Sequence, residues 1–457
     1  MPTIGGKELT TTQIIASGFF VCIMIGSLLL ALPISSRSGE WTPYIDALFT
    51  STSATCVTGL TTVNTLEHWS FFGQFIIMLL IQLGGLGIVT FTTIVLMVMG
   101  RRITLKERLL IQNAYNLDTL QGLVKMTIRI VEGTLLIEGI GACLYAIQYI
   151  PDYGVLQGIW KSVFNSVSAF CNAGMDLIGD YSLTPYRNNI LINLVTMALI
   201  IIGGIGFPVW WDVLRVWHLR RKEKLKFRKC LSKFSLHSKL VISVTFLLIV
   251  GGALFIFLLE FNNPKTIGEM PVWEKVLASL FQSVTTRTAG FLTIPQEGLH
   301  ETTSFVCIVL MFIGGSPSGT AGGVKTVTIA MMLLAVISTI KGNEDTEVFH
   351  RKITNTLVKK GMAVVLINMA VLIVMTIALS AIEGKDFLNI LYETTSALGT
   401  VGLTRNLTGN LTIIGRIIII ITMYIGRVGP ITLALFFNRK HYGTPARSLP
   451  PEKILVG

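Results

Sequence analysis

Four short segments rich in serine, threonine and small residues each end in a glycine. The closing glycines, Gly59, Gly174, Gly290 and Gly402, lie 115, 116 and 112 residues apart. The segments offer main-chain and hydroxyl oxygens, and the one carboxylate inside them belongs to Glu393. Uncharged oxygen ligands suit a monovalent cation such as K⁺, because Ca²⁺ and Mg²⁺ draw carboxylates. The pattern therefore predicts a cation site assembled from four copies of one unit.

The last four residues of each segment are the predicted selectivity filter, in which backbone carbonyl groups hold K⁺. They are Cys56, Val57, Thr58 and Gly59; Cys171, Asn172, Ala173 and Gly174; Arg287, Thr288, Ala289 and Gly290; and Gly399, Thr400, Val401 and Gly402. Glycine suits the closing position because carbonyl groups that face one ion need alternating or left-handed backbone angles, which cost other residues about 1 kcal/mol or more. The third copy is one residue shorter and carries Arg287, whose side chain is expected to point away from the ion path.

Composition places the chain in a membrane. Of its 457 residues, 51% are hydrophobic and 14% charged, and its mean hydropathy is +0.68, which excludes an ordinary water-soluble protein. Eight apolar runs reach the length that crosses about 30 Å of hydrocarbon. They lie near 13–33, 74–99, 127–150, 190–214, 238–260, 303–340, 360–382 and 411–437. The first run lacks the basic start and small-residue cleavage site of a signal peptide, so it is expected to remain as a span.

Each hydroxyl-rich segment lies between two spans and is too short to cross the membrane itself. Non-helical backbone at this depth is tolerated only inside protein or around water, so four such loops imply one shared aqueous path. Pro43, Pro271 and Asp386 are start signals for short helices whose carbonyl ends point at the centre. The predicted fold class is an all-α integral membrane protein with four tandem span–pore loop–span repeats. Its eight transmembrane helices and four re-entrant half-helices are expected in a pseudo-fourfold arrangement around one pore.

The repeat boundaries follow from this pattern. The predicted units are 1–101 with a pore loop near 45–60, 102–225 with a pore loop near 160–175, 226–345 with a pore loop near 274–291 and a broken second span at 312–325, and 346–440 with a pore loop near 386–403, followed by a C-terminal tail at 441–457. Each unit has an even number of spans. The repeats are therefore parallel, related by an axis normal to the membrane.

The charge distribution indicates orientation. The net charge of +12 is compatible with nucleic-acid binding, but about 26 of the 37 Lys and Arg residues fall on one side of the predicted spans, the asymmetry expected of a multi-pass protein. That side and both termini are expected to be cytoplasmic, with no nucleic-acid partner. The six cysteines show no metal-binding spacing, and no organic cofactor is expected.

The second span of the third unit is interrupted. The run Phe312–Lys325 contains Pro317 and five glycines, so it cannot remain a continuous helix. Its unpaired amides exclude a lipid-facing position, which places it inside the pore below the filter as a candidate gate. The predicted gate residues are Gly314, Gly315, Ser316, Pro317, Ser318, Gly319, Thr320, Ala321, Gly322, Gly323, Lys325 and Arg427. A static kink is the alternative, while a phosphate-binding loop lacks its Gly-Lys-Ser/Thr ending.

Arg427 occupies a position where the other units have small or apolar residues. A charge at membrane depth costs from about 3 to more than 10 kcal/mol, so it is a functional hypothesis by default. We expect Arg427 to line the pore under the filter, to resist cation passage and to bond carbonyl groups of the gate. The alternative is a structural pairing with a buried acid such as Glu138.

Four span–loop–span units, each closed by one glycine, resemble the Trk/Ktr/HKT superfamily of monovalent-cation transporters, and most closely the membrane subunit of bacterial Ktr potassium uptake systems. The resemblance covers nearly the whole chain. Glycine at all four closing positions implies K⁺ selectivity, since a serine in the first loop marks many Na⁺-preferring relatives. The resemblance also implies a homodimer in the cell membrane, with one pore per subunit. It further implies that the dimer binds a cytoplasmic nucleotide-binding ring of the RCK/KTN type.

Two other functions compete with a regulated K⁺ pore. Broken helices and repeats also fit a Na⁺-coupled alternating-access carrier, so whether Na⁺ is a coupling or activating ion stays open. An intramembrane enzyme needs a nucleophile and a base that face each other, whereas Glu132, Glu138 and Glu393 are isolated, so no enzyme is expected. The basic segments 215–239 and 341–360 are either ordinary cytoplasmic charge or a docking surface.

Overall fold

The computed structural model describes residues 11–87, 123–179, 181–224, 226–343 and 345–429, with a few isolated positions before residue 9 and between 89 and 112. The predicted tail at 441–457 lies outside the described residues. In chain order the helices are α1 (Thr11–Ala31), α2 (Tyr44–Cys56), α3 (Thr65–His68), α4 (Phe71–Leu86), α5 (Leu123–Tyr153), α6 (Val155–Cys171), α7 (Ile190–Gly204), α8 (Phe207–Glu223), α9 (Phe227–Lys233), α10 (Leu236–Glu260), α11 (Val272–Thr285), α12 (Glu301–Phe312), α13 (Thr326–Ile340), α14 (Asn355–Glu383), α15 (Phe387–Gly399) and α16 (Ile413–Val428). Strands β1 (Thr3–Ile4) and β2 (Lys7–Glu8) pair antiparallel, as do β3 (Thr346–Val348) and β4 (Arg351–Ile353).

One helix of each predicted unit is a continuous candidate span. α1, α5, α10 and α14 are long and apolar enough to cross a membrane. Between 22% and 33% of each apolar stretch is buried inside the protein, so most of its surface faces outward. Such helices are stable in hydrocarbon because their backbone groups are paired within the helix and their side chains are apolar.

The four pore helices, α2, α6, α11 and α15, are short, and three of them begin where the sequence places start signals. Pro43 and Pro271 precede the first turns of α2 and α11, and the Asp386 side chain accepts a hydrogen bond from the Asn389 amide at the start of α15. The carbonyl ends of these helices are buried. The Ser and Thr hydroxyl groups of these helices can therefore form hydrogen bonds only with other groups of the protein.

A hydroxyl that recurs in each pore helix fastens it to the first span of its own unit. Ser51 Oγ donates to the Ile23 carbonyl at 2.7 Å, and Ser166 Oγ donates to the Glu138 carbonyl at 2.6 Å. Ser283 Oγ makes the same contact with Ile249. Thr394 in the fourth unit bonds Thr376 instead. Hydrogen bonds between helices explain why hydroxyl groups are tolerated at this depth.

The second spans are not continuous helices. α4 ends at Gly87, α7 and α8 meet at an angle of 98° around Gly206, and α16 ends at Gly429. These three glycines have φ values of +84°, +94° and +90°, which no α-helix contains. The apolar run near 190–214 therefore contains two helices, because the backbone bends at the glycine between them. The break between α12 and α13 lies where the sequence predicts it.

The units close into a ring. The second helix of each unit packs against the pore helix of the next: α4 on α6, α7 on α11, α12 on α15, and α16 on α2. The last pair joins the two ends of the described chain. A salt bridge of 2.5 Å between Arg416 Nη1 and Asp46 Oδ1 fastens this closure. The loops that follow the four pore helices therefore meet around one axis.

Candidate cation site

The four closing glycines form a closed ring of contacts with main-chain oxygens. A Cβ atom built on each glycine would lie within 2.5 Å of the carbonyl oxygen that precedes the next closing glycine. The pairs are Gly59 with Ala173 O at 2.4 Å, Gly174 with Ala289 O at 2.5 Å, Gly290 with Val401 O at 2.5 Å, and Gly402 with Thr58 O at 2.3 Å. The last pair returns to the first loop. Four carbonyl groups from four loops therefore lie together at the centre of the protein.

Glycine is required at these positions for two separate reasons. The φ angles of Gly59, Gly174, Gly290 and Gly402 are +97°, +68°, +80° and +94°, a region that other residues rarely adopt. A methyl group there would also overlap a neighbouring carbonyl oxygen, because real Cβ atoms do not approach another atom within 3.0 Å. Any substitution would displace an oxygen of the ring as well as strain its own loop.

A left-handed residue stands two positions before each closing glycine. Val57, Asn172, Thr288 and Thr400 have φ values of 57°, 62°, 67° and 51°. In the first, second and fourth units this residue directly follows the pore helix, whereas α11 ends two residues earlier relative to it, at Thr285. The third segment is one residue shorter, yet its left-handed residue keeps the same distance from the closing glycine. Alternating backbone handedness turns successive carbonyl groups to one side of the chain.

The loop amides point away from the axis. The Gly59 amide donates to Ser53 Oγ at 3.0 Å, and the Gly402 amide donates to Ser396 Oγ at 3.1 Å. Arg287 also points backward, since its guanidinium donates to the Thr245 carbonyl on α10 at 3.2 Å. Its own carbonyl oxygen lies 3.5 Å from the side-chain amide of Asn172, in the neighbouring loop. The buried positive charge of the third loop therefore lies behind the ring.

A cavity of about 280 Å³ opens above the ring, and all four closing glycines line it. Asp176 also lines this outer vestibule, and its carboxylate accepts a hydrogen bond from the Ile178 amide at 3.0 Å. Burial raises the pKa of Asp176 to about 6, although hydrogen bonds from Ser182 and the Ile178 amide oppose that shift. The vestibule thus carries a carboxylate whose pKa is raised toward neutral pH.

The wall of the vestibule is held by a residue whose partners the sequence did not reveal. Glu393, fully buried in α15, accepts hydrogen bonds from Thr404 Oγ1 at 2.6 Å and from Thr408 Oγ1. Both threonines line the vestibule directly after Gly402. Thr404 and Thr408 are four residues apart, but nothing in the local sequence connects them with an acid on the pore helix.

The intramembrane loop, residues 313–325, lies beneath the ring. Its two ends are tied by hydrogen bonds from the Gly314 amide to the Val324 carbonyl at 3.0 Å and from the Val324 amide to the Phe312 carbonyl at 3.2 Å. The Lys325 ammonium folds back onto the Ala321 carbonyl at 2.7 Å. The loop is therefore closed at its base by a parallel bridge between Ile313 and Val324.

The tip of this loop contacts two of the four loops of the ring. Thr320 Oγ1 donates to the Phe170 carbonyl at 3.1 Å and to Asn172 Oδ1 at 3.0 Å. A Cβ atom built on Gly322 would overlap Thr400 Oγ1. On the other side, the Ser316 amide donates to the Gly204 carbonyl, and the Phe207 amide donates to the Ser318 carbonyl. The loop thus bridges the second and fourth units directly under the carbonyl ring.

Arg427 fastens the tip of the intramembrane loop to a further unit. Its Nη1 atom donates to the Thr320 carbonyl at 2.6 Å, and its Nη2 atom donates to the Gly84 carbonyl at the end of α4. Glu138 accepts instead from Gln82 Nε2 at 3.2 Å. Among the described residues no ion pair joins Arg427 to Glu138, so the alternative of a structural pairing between them is not supported.

Comparisons with known proteins agree with this architecture. The family model described as TrkH, cation transport protein, matches residues 9–443. The potassium/sodium uptake protein NtpJ of Enterococcus hirae is 40% identical over 99% of this chain and 98% of its own length. The Ktr system potassium uptake protein B of Bacillus subtilis is 41% identical over 94% of each chain, and its namesake from Vibrio alginolyticus is 34% identical over 97% of this chain and 94% of its own.

The crystal structure of the potassium transporter TrkH from Vibrio parahaemolyticus has the same fold, with a TM-score of 0.72 at 18% identity over 93% of this chain and 85% of that one. Sequence and fold lead to the same assignment, with nearly the whole chain included. This protein is a multi-pass membrane protein that belongs to the TrkH family of cation transport proteins.

Proposed function

We propose that this chain translocates K⁺ across the cytoplasmic membrane through a channel-like pore, so that the cell takes up K⁺. The observation that carries this proposal is the closed ring in which each closing glycine faces the carbonyl oxygen of the next loop. Main-chain oxygens without carboxylates suit a monovalent cation. The relatives from Enterococcus, Bacillus and Vibrio bear the names of potassium uptake proteins, which supports the same ion.

In this proposal the four residues that end at each closing glycine form the filter, and the four units of about 115 residues are repeats of one pore domain. The carbonyl groups replace the water around the ion, while the fixed negative ends of the pore helices stabilise its charge. The carboxylate of Asp176 raises the local cation concentration in the outer vestibule.

The intramembrane loop is the proposed gate. It lies directly beneath the ring, where Thr320 and Gly322 contact the second and fourth filter loops. The positive charge of Arg427 resists a cation at the same level, and its hydrogen bond holds the loop in place. Lys325 stabilises the loop from within through the Ala321 carbonyl. Displacement of the loop would open the path below the filter.

We further propose a homodimer with one pore in each subunit and a cytoplasmic nucleotide-binding regulatory ring. The two proteins named for the Ktr system support a multi-component assembly. The exposed basic residues of α8, α9 and β4 lie on the side proposed to be cytoplasmic, together with both termini. Na⁺ is a second candidate ion, because the name of the Enterococcus relative includes sodium.

Uptake of radioactive rubidium into liposomes that contain the purified protein and an outward K⁺ gradient tests the proposal. We expect rapid uptake of rubidium down its electrochemical gradient in the absence of Na⁺. Excess external K⁺ should suppress this uptake, and excess Na⁺ should not. Uptake that requires Na⁺ in a fixed ratio would contradict the pore and favour a Na⁺-coupled carrier. No uptake by folded protein, with or without a co-reconstituted ring subunit, would contradict the K⁺ pore itself.

A further inference from the structure

Helix α8 turns across the bundle at the cytoplasmic end of the spans. It makes an angle of 98° with α7, the helix that enters from the opposite side. Asp212 of α8 accepts a hydrogen bond at 2.8 Å from the Ser235 amide, where α10 begins, and it pairs with Arg215. The start of α10 is the point at which that span enters the membrane. The middle of α8 is therefore tied to the end of a candidate span.

The exposed side of α8 carries apolar residues that the protein itself leaves uncovered. Val209, Asp212 and Val216 face the bundle and are buried. Val213, Leu214 and Trp217 lie on a neighbouring face of the helix and are exposed, with half of the Trp217 side chain accessible. A helix with one such face and a charged remainder is typical of helices that lie in the surface layer of a bilayer.

A cation also lies against the Trp217 ring. The guanidinium carbon of Arg221 lies 3.9 Å from the centre of the Trp217 ring. Tryptophan is enriched at the level of lipid headgroups, and arginine reaches from an apolar surface toward phosphate groups. The pair thus places an apolar ring and a fixed positive charge at the same exposed point of the helix.

A dense positive charge follows this pair. The ten residues 220–229 contain seven Lys and Arg residues and a single acid, Glu223. Among the described positions of this stretch, those whose side chains are described are exposed. Clusters of this kind next to a membrane helix attract anionic lipid surfaces, and salt weakens the attraction. Charge complementarity therefore favours an anionic lipid surface over a neutral lipid or an apolar protein surface.

We infer that the part of α8 that follows Asp212 lies in the cytoplasmic headgroup layer and that the basic residues of the stretch 220–229 bind the phosphate groups of anionic phospholipids, while Val213, Leu214 and Trp217 contact the upper acyl chains. The start of α8 contacts the intramembrane loop, through the hydrogen bond of 3.0 Å from the Phe207 amide to the Ser318 carbonyl. A bound lipid can therefore bias the position of that loop. This regulatory part rests on the proposed function of the loop as a gate, whereas the lipid site does not.

Quenching of tryptophan fluorescence by brominated lipids tests the site on the full chain. Two bilayers of identical composition are compared, in which the bromine atoms are carried either by phosphatidylglycerol or by phosphatidylcholine. The contribution of Trp217 is the difference between the wild type and Trp217→Phe. We expect this contribution to be quenched about twofold more when phosphatidylglycerol carries the bromine, and the excess to disappear at high salt.

Two matched controls separate selective binding from general contact. Trp273, at the start of α11 on the opposite membrane side, is exposed to the same extent as Trp217 but precedes no basic run, so both labels should quench it equally. The triple variant Arg220→Gln, Arg221→Gln, Lys222→Gln should lose the excess at Trp217. The triple variant Lys341→Gln, Lys359→Gln, Lys360→Gln, which removes equal charge elsewhere on the cytoplasmic side, should retain it.

Equal quenching of Trp217 by both labels would overturn the headgroup selection. The absence of quenching by either label would mean that protein or water covers this face, and would overturn the membrane position of α8. Rubidium flux tests the regulatory part separately: wild-type flux should change with the fraction of phosphatidylglycerol, and flux through the Arg220/Arg221/Lys222 variant should not. The same dependence in both proteins would contradict the coupling, whereas loss of all flux would bear on the proposed function alone.

Discussion

The guanidinium of Arg427 lies 2.6 Å from the carbonyl oxygen of Thr320, which it meets across 107 residues of sequence. The same side chain donates to the Gly84 carbonyl, so one arginine joins the first and fourth units to the intramembrane loop of the third. A hydrogen bond from a charged donor contributes roughly 1.5–3 kcal/mol. This contact links the loop beneath the carbonyl ring to α4 and α16, in addition to the bonds that the loop makes with α6, α7 and α8.

Arg427→Ala should increase K⁺ flux by about tenfold or more, because the variant loses both the hydrogen bond to the loop and the positive charge below the ring. Arg427→Lys should give an intermediate flux, since it keeps the charge but cannot bridge two carbonyl groups. Rubidium uptake per folded protein in liposomes measures both. Unchanged flux in a normally folded Arg427→Ala protein would show that this residue has only a structural role.

Gly402→Ala should reduce the preference for K⁺ over Na⁺ by at least about tenfold, because the new methyl group needs a strained φ angle and displaces the Thr58 carbonyl. Competition of Na⁺ with rubidium uptake measures the preference. Gly139→Ala is the matched control, since a Cβ atom there has no neighbour within 4 Å. Wild-type selectivity in a Gly402→Ala protein would show that the carbonyl ring does not determine the preference for K⁺ over Na⁺.

Rubidium uptake should weaken as the external pH falls from 8 to 5, with a midpoint near 6. Burial raises the pKa of Asp176 to about 6, so this carboxylate is charged above that pH and neutral below it. Its negative charge attracts cations into the vestibule, and protonation removes the attraction. Asp176→Asn should show the low-pH uptake at every pH; a variant that retains the wild-type pH profile would assign the titration to another group.

Glu393→Ala should lower the thermal stability, because the hydroxyl groups of buried Thr408 and half-buried Thr404 lose their acceptor, at a cost of about 1–3 kcal/mol for the buried one. Glu393→Gln keeps one acceptor oxygen and should lose less. Thermal unfolding in detergent measures the change, and Glu297→Ala, at an exposed position, serves as the control. Equal unfolding temperatures for Glu393→Ala and Glu297→Ala would mean that the hydrogen bonds to Thr404 and Thr408 do not hold the vestibule wall.

Arg416→Ala should destabilise the protein by about 3 kcal/mol, since Asp46 would keep a largely buried charge without its partner. The double variant Asp46→Asn, Arg416→Gln should recover part of that loss, because no unpaired charge remains. The wild type, Asp46→Asn, Arg416→Gln and the double variant form a cycle that thermal unfolding compares. Strictly additive effects would indicate that the contact does not fasten the first unit to the fourth.

Local composition was sufficient to predict the continuous first spans α1, α5, α10 and α14, the pore helices and the interruption between α12 and α13. Hydropathy, proline and glycine act within a few residues along the chain, so the sequence displays their effect directly. The spacing of Gly59, Gly174, Gly290 and Gly402 likewise predicts equivalent loops. Since a glycine that allows close packing and one that reverses the backbone look alike in a sequence, the bend at Gly206 was not predicted.

The sequence by itself thus determined the membrane class and the residue types that could surround a cation, and it predicts the four units. Only the tertiary structure decided which carbonyl oxygen each closing glycine faces, which oxygens Arg427 binds, and that Glu393 holds Thr404 and Thr408. Arg427 and Thr320 are 107 residues apart, and Arg416 and Asp46 are 370 apart. No local pattern encodes such pairs, because they exist only after the four units have packed around a common axis.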